Sequence, residues 1–353
     1  MSTTIEIINS KSISNSSYLE IYKSFELDIY YSTTFLEIDA KIQQGEYEIF
    51  IAKQDNSIFI YPYIKLYFES EKFNNYFDIT SPYGYCGPYC NDTSFFDHAE
   101  QLFIEYTSQK AVSEFIRYHY IYNIDNKFTK NIHNLHNRNV IVLNTNQSFE
   151  QIWMTEFSST NRNLIRKLEK EEFIFEITSS EVDTDSFVTM YYETMNNANA
   201  SSFYYFERET LKQMIKDLGD NIVLARVSKN DINYCFGLFF LSGDISTYYL
   251  SARNLLFSKI PATNFLLSKI VNWLNEYRPQ IKKLNYGGGL SLREDDYLYK
   301  FKSNFSKQSL PFFIGKRIHN NQIYEEIKKD WIIEHGLTEF EKRKHILHFY
   351  REN

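Results

Sequence analysis

Residues 286–305 read Tyr-Gly-Gly-Gly-Leu-Ser-Leu-Arg-Glu-Asp-Asp-Tyr-Leu-Tyr-Lys-Phe-Lys-Ser-Asn-Phe. A strand-like run, Ile281 to Tyr286, leads straight into Gly287, Gly288 and Gly289. Three glycines let a backbone turn sharply and leave room for a ligand to approach the main chain, although a plain turn uses the same residues. Downstream, Asp296, Leu298, Phe301, Lys302 and Phe305 spell D-x-L-x-x-F-K-x-x-F. Leu298, Phe301 and Phe305 stand at i, i+3 and i+7, the spacing of a helix stripe that faces a core. Lys302 lies four residues after Leu298, at the margin of that stripe. A lysine there either snorkels to solvent or delivers its ammonium into a cleft beside the glycine turn.

Working outward, the pattern predicts a hairpin, Ile222 to Val227 with Tyr234 to Leu241, and a third strand over Ser246 to Leu250. A helix carrying Leu267, Ile270, Val271, Leu274 and Tyr277 on one face then leads to the strand at 281–286. The first half shows the same order: a hairpin of Tyr47 to Ala52 with Ser57 to Tyr61, a helix over Ser94 to Ser108, and a strand at Val140 to Leu143. Hairpin, helix and returning strand, met twice, predict two structurally similar α+β halves, 1–146 and 147–353. Between them, Phe149 to Glu172 reads as a long helix or a helix pair rich in Arg and Lys, followed by helices near 185–196 and 207–218. The segment from Glu325 to Tyr350 alternates apolar and charged residues as surface helices do.

Composition narrows the classes further. The 353 residues are 43% hydrophobic and 24% charged, which excludes a disordered, collagen-like or supercharged chain. Three cysteines cannot build a disulfide framework, so a reducing compartment is expected. No secretory signal and no run of 18 apolar residues is visible, and the expected location is the cytoplasm, with the inner face of the membrane as a peripheral alternative. The net charge of −7 argues against general nucleic-acid binding. Residues 1–150 hold 11 basic and 19 acidic groups against 27 and 26 in the rest, so the second half is the better place for a phosphate-bearing ligand. Cys86 and Cys90 have no second pair or histidine cluster at zinc spacing, and no metal is expected.

The stretch from Tyr286 to Phe305 resembles the G-G-G…D-x-L-x-x-F-K-x-x-F signature of the Fem-like (FemABX) branch of the GNAT acyltransferases. Other matches follow in register. Asp78 to Pro88 resembles that group's D-x-x-S-P-Y-G-Y-x-G-P segment, and Arg162, Arg166 and Lys167 its R-x-x-x-R-K. Tyr191 to Met195 with Tyr204-Tyr205-Phe206 resembles the Y-x-x-T-M…Y-Y-F block, and Tyr248 to Ser251 the Y-H-L-S strand end. The matches span roughly residues 45–325. The resemblance implies an α+β fold of tandem duplicated GNAT-like halves, each a mixed sheet flanked by helices, with the catalytic cleft at their interface.

It also implies transfer of an acyl or aminoacyl group onto an amine of a cell-envelope precursor, an amino sugar or a peptide stem, small or lipid-linked. In the peptidoglycan members the Phe-Lys pair of F-K-x-x-F is essential; here that pair is Phe301 and Lys302. A fixed cation in a water-poor cleft suits the oxyanion of an acyl transfer. The expected substrate-binding set is Asp78, Tyr83, Tyr85, Arg162, Arg166, Tyr205, Tyr249 and the three glycines. No permanently bound cofactor is expected, and the donor is either acyl-CoA or aminoacyl-tRNA. The stretch Arg253 to Asn264, where an acyl-CoA enzyme places a glycine-rich phosphate turn, has no glycine. Many relatives carry an Arg where this chain has Asn197, which leaves a non-catalytic binding module as a rival reading. As general base the candidates are Asp78, Glu294, Asp295, Asp296 or the substrate itself.

Overall fold

A computed structural model of the chain describes residues 2–11, 16–122, 132–293 and 295–351. The chain runs through β1 (Thr4–Asn9), α1 (Ser16–Ser24), α2 (Thr33–Ile42), β2 (Glu46–Gln54), β3 (Ser57–Tyr67), β4 (Phe77–Thr80), β5 (Tyr89–Cys90), α3 (Thr93–Thr107) and β6 (Ala111–Arg117). Next come β7 (His133–Asn144), α4 (Phe149–Thr155), α5 (Ser159–Lys170), β8 (Ile174–Thr178), α6 (Glu181–Asn197), α7 (Arg208–Asp217), β9 (Ile222–Lys229), β10 (Ile232–Ser242) and β11 (Ile245–Arg253). The last elements are α8 (Ala262–Tyr277), β12 (Lys283–Gly288), α9 (Tyr297–Lys302), β13 (Ser309–Ile318), α10 (Asn321–His335) and α11 (Leu337–Arg343).

Two compact units result, one of Met1–Glu20, Asp39–Asn137 and Phe312–Asn353, the other of Ile21–Ile38 and Arg138–Pro311. The chain crosses between them several times, where the sequence reading places a single boundary after residue 146. In the first unit the strand order is β1-β2-β3-β4-β6-β13, with β5 beside β3. In the second it is β8-β9-β10-β11-β12-β7. The orders correspond strand for strand. Each unit has an antiparallel hairpin, then a parallel pair joined by a helix, β4-α3-β6 and β11-α8-β12. In each, an antiparallel strand from outside that run, β13 or β7, closes the row.

Local chemistry accounts for the turns. β9 and β10 meet at Lys229↔Ile232 across Asn230 and Asp231, both at positive φ (50° and 62°), the backbone of a two-residue hairpin loop. Ser158 accepts from the Asn161 N–H and starts α5 afresh after Phe157, so the Arg/Lys-rich segment is a helix pair. The core of the second unit packs the α8 stripe, Leu266, Leu267, Ile270, Val271 and Leu274, against Phe239, Leu241, Leu284 and Tyr286. In the first unit α3 buries Phe95, Phe96, Ala99 and Phe103 against Phe50, Phe59 and Tyr61.

The segment after β13 is anchored more firmly than surface helices would be. Tyr324, Ile327, Trp331 and Phe349 pack with Phe73 and Val112. Asp78 holds the end of the chain: its fully buried carboxylate accepts from Ser113 Oγ (2.7 Å), Tyr350 OH (3.1 Å) and Arg351 Nε (2.7 Å). Asp78, expected as an acceptor contact or a base, has its oxygens engaged by the protein itself. Next to it the half-buried His348 meets Ser113 Oγ (3.0 Å), and desolvation of its ring pushes the imidazole down to about 4.

Removing the carboxylate would strand Arg351 and two hydroxyls, so Asp78→Ala should lower unfolding stability by about 3–5 kcal/mol in urea titrations; a loss under about 1 kcal/mol would show that the tail does not depend on it. His348 is neutral in the fold but gains a proton near pH 6.5 when unfolded, so its contribution is present above that pH and lost as the pH falls towards about 4. The acid limb of the stability profile should therefore flatten in His348→Gln.

Candidate functional site

The parallel ladder between β11 and β12 is short. It holds Ile245↔Lys283, Ser246↔Leu284 and Thr247↔Asn285, and stops there. Both strands then bulge. The β10–β11 register steps from Leu238↔Leu250 to Phe239↔Tyr248 and leaves Tyr249 as the extra residue. The β12–β7 register steps from Asn285↔Val142 to Gly287↔Ile141 and leaves Tyr286 extra. The second bulge has a local cause: Asn285 Oδ1 accepts from the Gly287 N–H at 2.7 Å, and Gly287 takes φ 79°. Two neighbouring strands that part inside a sheet leave backbone edges open to an extended ligand.

The first unit has the same parallel pair, but there the loop after β4 fills the parting. Ser81 N–H donates to Phe115 O (2.9 Å), Arg117 N–H to Ser81 Oγ (2.9 Å) and Cys86 N–H to Arg117 O (3.0 Å). The candidate site is therefore the parting in the second unit.

The glycine bend lies at its edge, and each glycine has its own reason. Gly287 holds the positive φ. At Gly288 a Cβ would stand 2.8 Å from Arg138 Cδ and 2.8 Å from the Asn139 carbonyl. At Gly289 it would stand 2.6 Å from Asp296 Oδ1. The Asp296 carboxylate fills that space and closes the bend. Its Oδ1 accepts from the Leu298 and Tyr299 N–H groups (3.0 and 2.9 Å) and caps α9. Its Oδ2 accepts from the Leu290 and Ser291 N–H groups (2.7 and 2.8 Å) and from Ser291 Oγ (3.2 Å). Burial would raise this carboxyl, but the N–H groups of Tyr299, Ser291 and Leu290 outweigh it and hold it below the usual range. Asp296 is thus a clasp and not a proton acceptor.

Cation charge gathers on the other side of the bend. The Lys302 ammonium donates to the Gly288 carbonyl at 2.8 Å, and Arg138 Nη1 to the Gly289 carbonyl at 2.7 Å. Taken as a residue Lys302 is half-buried, but its ammonium is desolvated. Burial, with the Arg138 charge adding to it and Asp296 opposing, brings its pKa down to about 8. Phe301 packs towards the α8 core, its ring 5.7 Å from Phe305, and seats α9.

The other anticipated residues are dispersed. Tyr249 stacks on Phe240 (4.1 Å) and meets Phe35 edge-on. Tyr205 follows a short 3-10 turn and meets Tyr192 edge-on. Arg162 donates through Nη1 to the carbonyls of Trp153, Met154 and Phe157, closing the end of α4. Arg166 is exposed and lies over the Trp153 ring. Neither arginine is brought to the glycine bend by these contacts. In the first unit, Tyr85 packs edge-on against Tyr120 and Phe312, and the Arg117 guanidinium lies over the Tyr83 ring. Asp295 pairs with Arg293 in the open (2.8 Å), and Glu294 lies outside the described residues.

Two groups escaped the sequence reading. Arg138 stands alone among neutral residues at the start of the second part of β7, so only its contact with Gly288 reveals it. Asp39 on α2 is buried, accepts from the Tyr83 N–H (3.0 Å) and Gln43 Nε2 (2.5 Å), and leaves Oδ1 without a hydrogen-bond partner. Burial raises its carboxyl to about 6 against the pull of those two bonds and of Arg117. Among the described residues, no group of three or more His, Cys, Asp or Glu is placed to hold a metal ion, and no helix is long and apolar enough to cross a membrane.

A scan of family models finds no match to this chain, and a search of curated protein sequences finds none either. Solved structures do match. The chain is similar to FemX at 11% identity, covering 91% of this chain and 99% of that one, with a TM-score of 0.67. It is similar to L-PGS from Bacillus licheniformis at 12% identity, over 87% of this chain and 94% of that one (TM-score 0.56). The C-terminal domain of a putative lysylphosphatidylglycerol synthetase from Agrobacterium fabrum matches at 13% identity, over 88% and 94% (TM-score 0.55). The chain shares the fold of FemX, with two mixed-sheet units flanked by helices.

Proposed function

We propose that this protein is an N-acyltransferase that moves an acyl or aminoacyl group onto an amino group of a cell-envelope precursor, an amino sugar or a peptide stem. One observation carries the reading: a desolvated ammonium, Lys302, held on the Gly288 carbonyl beside the point where β11 and β12 part. An extended donor that lies along the parted strands presents its carbonyl carbon there. The acceptor amine attacks, the C–N bond forms, and the carbonyl oxygen takes negative charge that the Lys302 ammonium stabilises by a charge-assisted hydrogen bond. Collapse expels the alcohol or thiol of the donor, and the amine proton leaves with it or to water. Phe301, Phe305 and Tyr286 pack together in the core that seats α9, the helix that bears the lysine.

Support for an aminoacyl cargo comes from two structures of similar fold, which bear the name of lysylphosphatidylglycerol synthetase or its abbreviation. The start of α8 favours the same donor over acyl-CoA, because no glycine turn precedes it to let a pyrophosphate approach the backbone. Aminoacyl-tRNA is accordingly the preferred donor.

The working test screens CoA thioesters and charged tRNA for a rise in melting temperature, then follows turnover with the donor that binds. Lys302→Met should reduce kcat by about 10²–10³ with an unchanged melting curve; wild-type turnover in that variant would reject the role. Because the charged form is the active one, kcat should be full below about pH 8 and fall as the pH rises through that value. Lys302→Arg should move this alkaline limb upward, and an unmoved limb would assign it to another group.

A further inference from the structure

Helix α9 carries Lys302 on only 6 residues, too few to hold a helix by propensity. Asp296 fixes its start, and Asn304 fixes its end. The Asn304 side chain works in two directions. Its Nδ2 donates to the Lys300 and Phe301 carbonyls (2.8 and 3.2 Å), acceptors that the last turn of the helix leaves open. Its Oδ1 accepts from Ser158 Oγ (2.7 Å) at the start of α5. The Asn304 carbonyl accepts in turn from the Ser158 N–H (3.0 Å) and from Asn161 Nδ2 (3.2 Å). Asn161 is buried, and its Oδ1 accepts from Nδ2 of Asn264 (2.9 Å) on the first turn of α8. An asparagine that ends a helix commonly does so with its backbone in the left-handed region, but Asn304 has no positive φ. What α9 uses is the planar amide, a donor and an acceptor on one rigid group. The tie also has a direction. Because β11 and β12 are parallel, α8 starts at the end of the sheet where they part. The amides of Asn304, Asn161 and Asn264 thus join the lysine helix to the open end of the parting.

We infer that Asn304 is the positioning residue for Lys302: it ties the end of α9 to α5, and through Asn161 to α8, and so holds the ammonium on the Gly288 carbonyl beside the parted strands. This deepens the acyl-transfer reading, and its consequence for catalysis rests on that reading; the tie itself belongs to the fold and is tested without turnover. The chemistry of the amide makes the role specific. An alanine at 304 leaves the Lys300 and Phe301 carbonyls to water and frees the Ser158 hydroxyl, so nothing but the core contacts of Phe301 seats that end of the helix. Lys302 lies two residues away, and a misplacement of about 1 Å near a reacting centre costs about 10²-fold in rate. Loss of the tie therefore acts on kcat and leaves donor binding alone.

The pH dependence of Lys302 acetylation by acetic anhydride is followed in the full-length protein by peptide mass spectrometry. Desolvation is the largest influence on this ammonium, ahead of Arg138 on β7, which acts in the same direction, and Asp296, which opposes both. An ammonium released from the Gly288 carbonyl regains water, so Asn304→Ala should raise the midpoint from about 8 towards the ordinary lysine range. Ser148→Ala, which removes the cap of α4, is the control: it should lower the melting temperature without moving the midpoint. Asn304→Ser, which keeps a hydroxyl for one carbonyl, should fall between wild type and alanine, and it carries the test if the alanine variant does not fold. With the donor that binds, Asn304→Ala should reduce kcat by about tenfold or more and hold KM within about twofold. An unmoved midpoint in a folded Asn304 variant overturns the inference, and so does a raised KM with kcat intact. A raised midpoint in a protein that transfers no acyl group would uphold the tie and reject the transferase; turnover with a wild-type midpoint and kcat in Asn304→Ala would do the reverse.

Discussion

The Asp296 carboxylate is the interaction on which the site depends. With one oxygen it starts α9 and with the other it pulls residues 290 and 291 back on the glycine bend. A carboxylate that accepts five hydrogen bonds has one position only, and it fixes the distance between the end of β12 and the helix that bears Lys302. The absence of a side chain at Gly289 is the condition for that closure, because the carboxylate occupies the space a Cβ would need. Lys302 is desolvated as a consequence. Its backbone is set by the clasp, and its ammonium finds the Gly288 carbonyl within reach.

The two units show how a duplicated topology yields different capacities. Both contain a parallel pair of strands joined by a helix, and in both the pair loses its ladder early. In the first unit the residues after β4 return their own N–H groups and the Ser81 hydroxyl to the edge, so the parting is satisfied internally. In the second unit paired bulges at Tyr249 and Tyr286 turn the strands away from one another. Buried charge in the first unit serves the fold: Asp78 ties down the end of the chain, and Glu114 is held near 2, where burial is outweighed by Arg317, His319 and Tyr61.

Local patterns carried the sequence reading far. The hairpins, the helices with clear periodicity and the duplicated order of elements were legible because each is a property of a few neighbouring residues. So was the glycine bend with its aspartate and lysine, since the spacing of Gly289, Asp296 and Lys302 is itself the geometry of the clasp. The partners of Asp78 and Arg162 were illegible for the opposite reason. Both stand in motifs that resemble a binding surface, yet Asp78 meets Arg351 from the far end of the chain, and Arg162 finds three carbonyls at the end of the preceding helix. Arg138 and Asp39 left no trace in the sequence, because an isolated charge has no period and no neighbour to announce it.

By itself, then, the sequence determined which segments form strands and helices, that the chain is built from two like halves, and that a lysine follows a triple-glycine turn. Those facts depend on interactions within about ten residues. Tertiary structure alone decided which way that lysine points, which arginine joins it, which parting of strands stays open and which carboxylates are already taken. Each of those outcomes depends on desolvation and on partners distant along the chain, and neither quantity exists until the chain has folded.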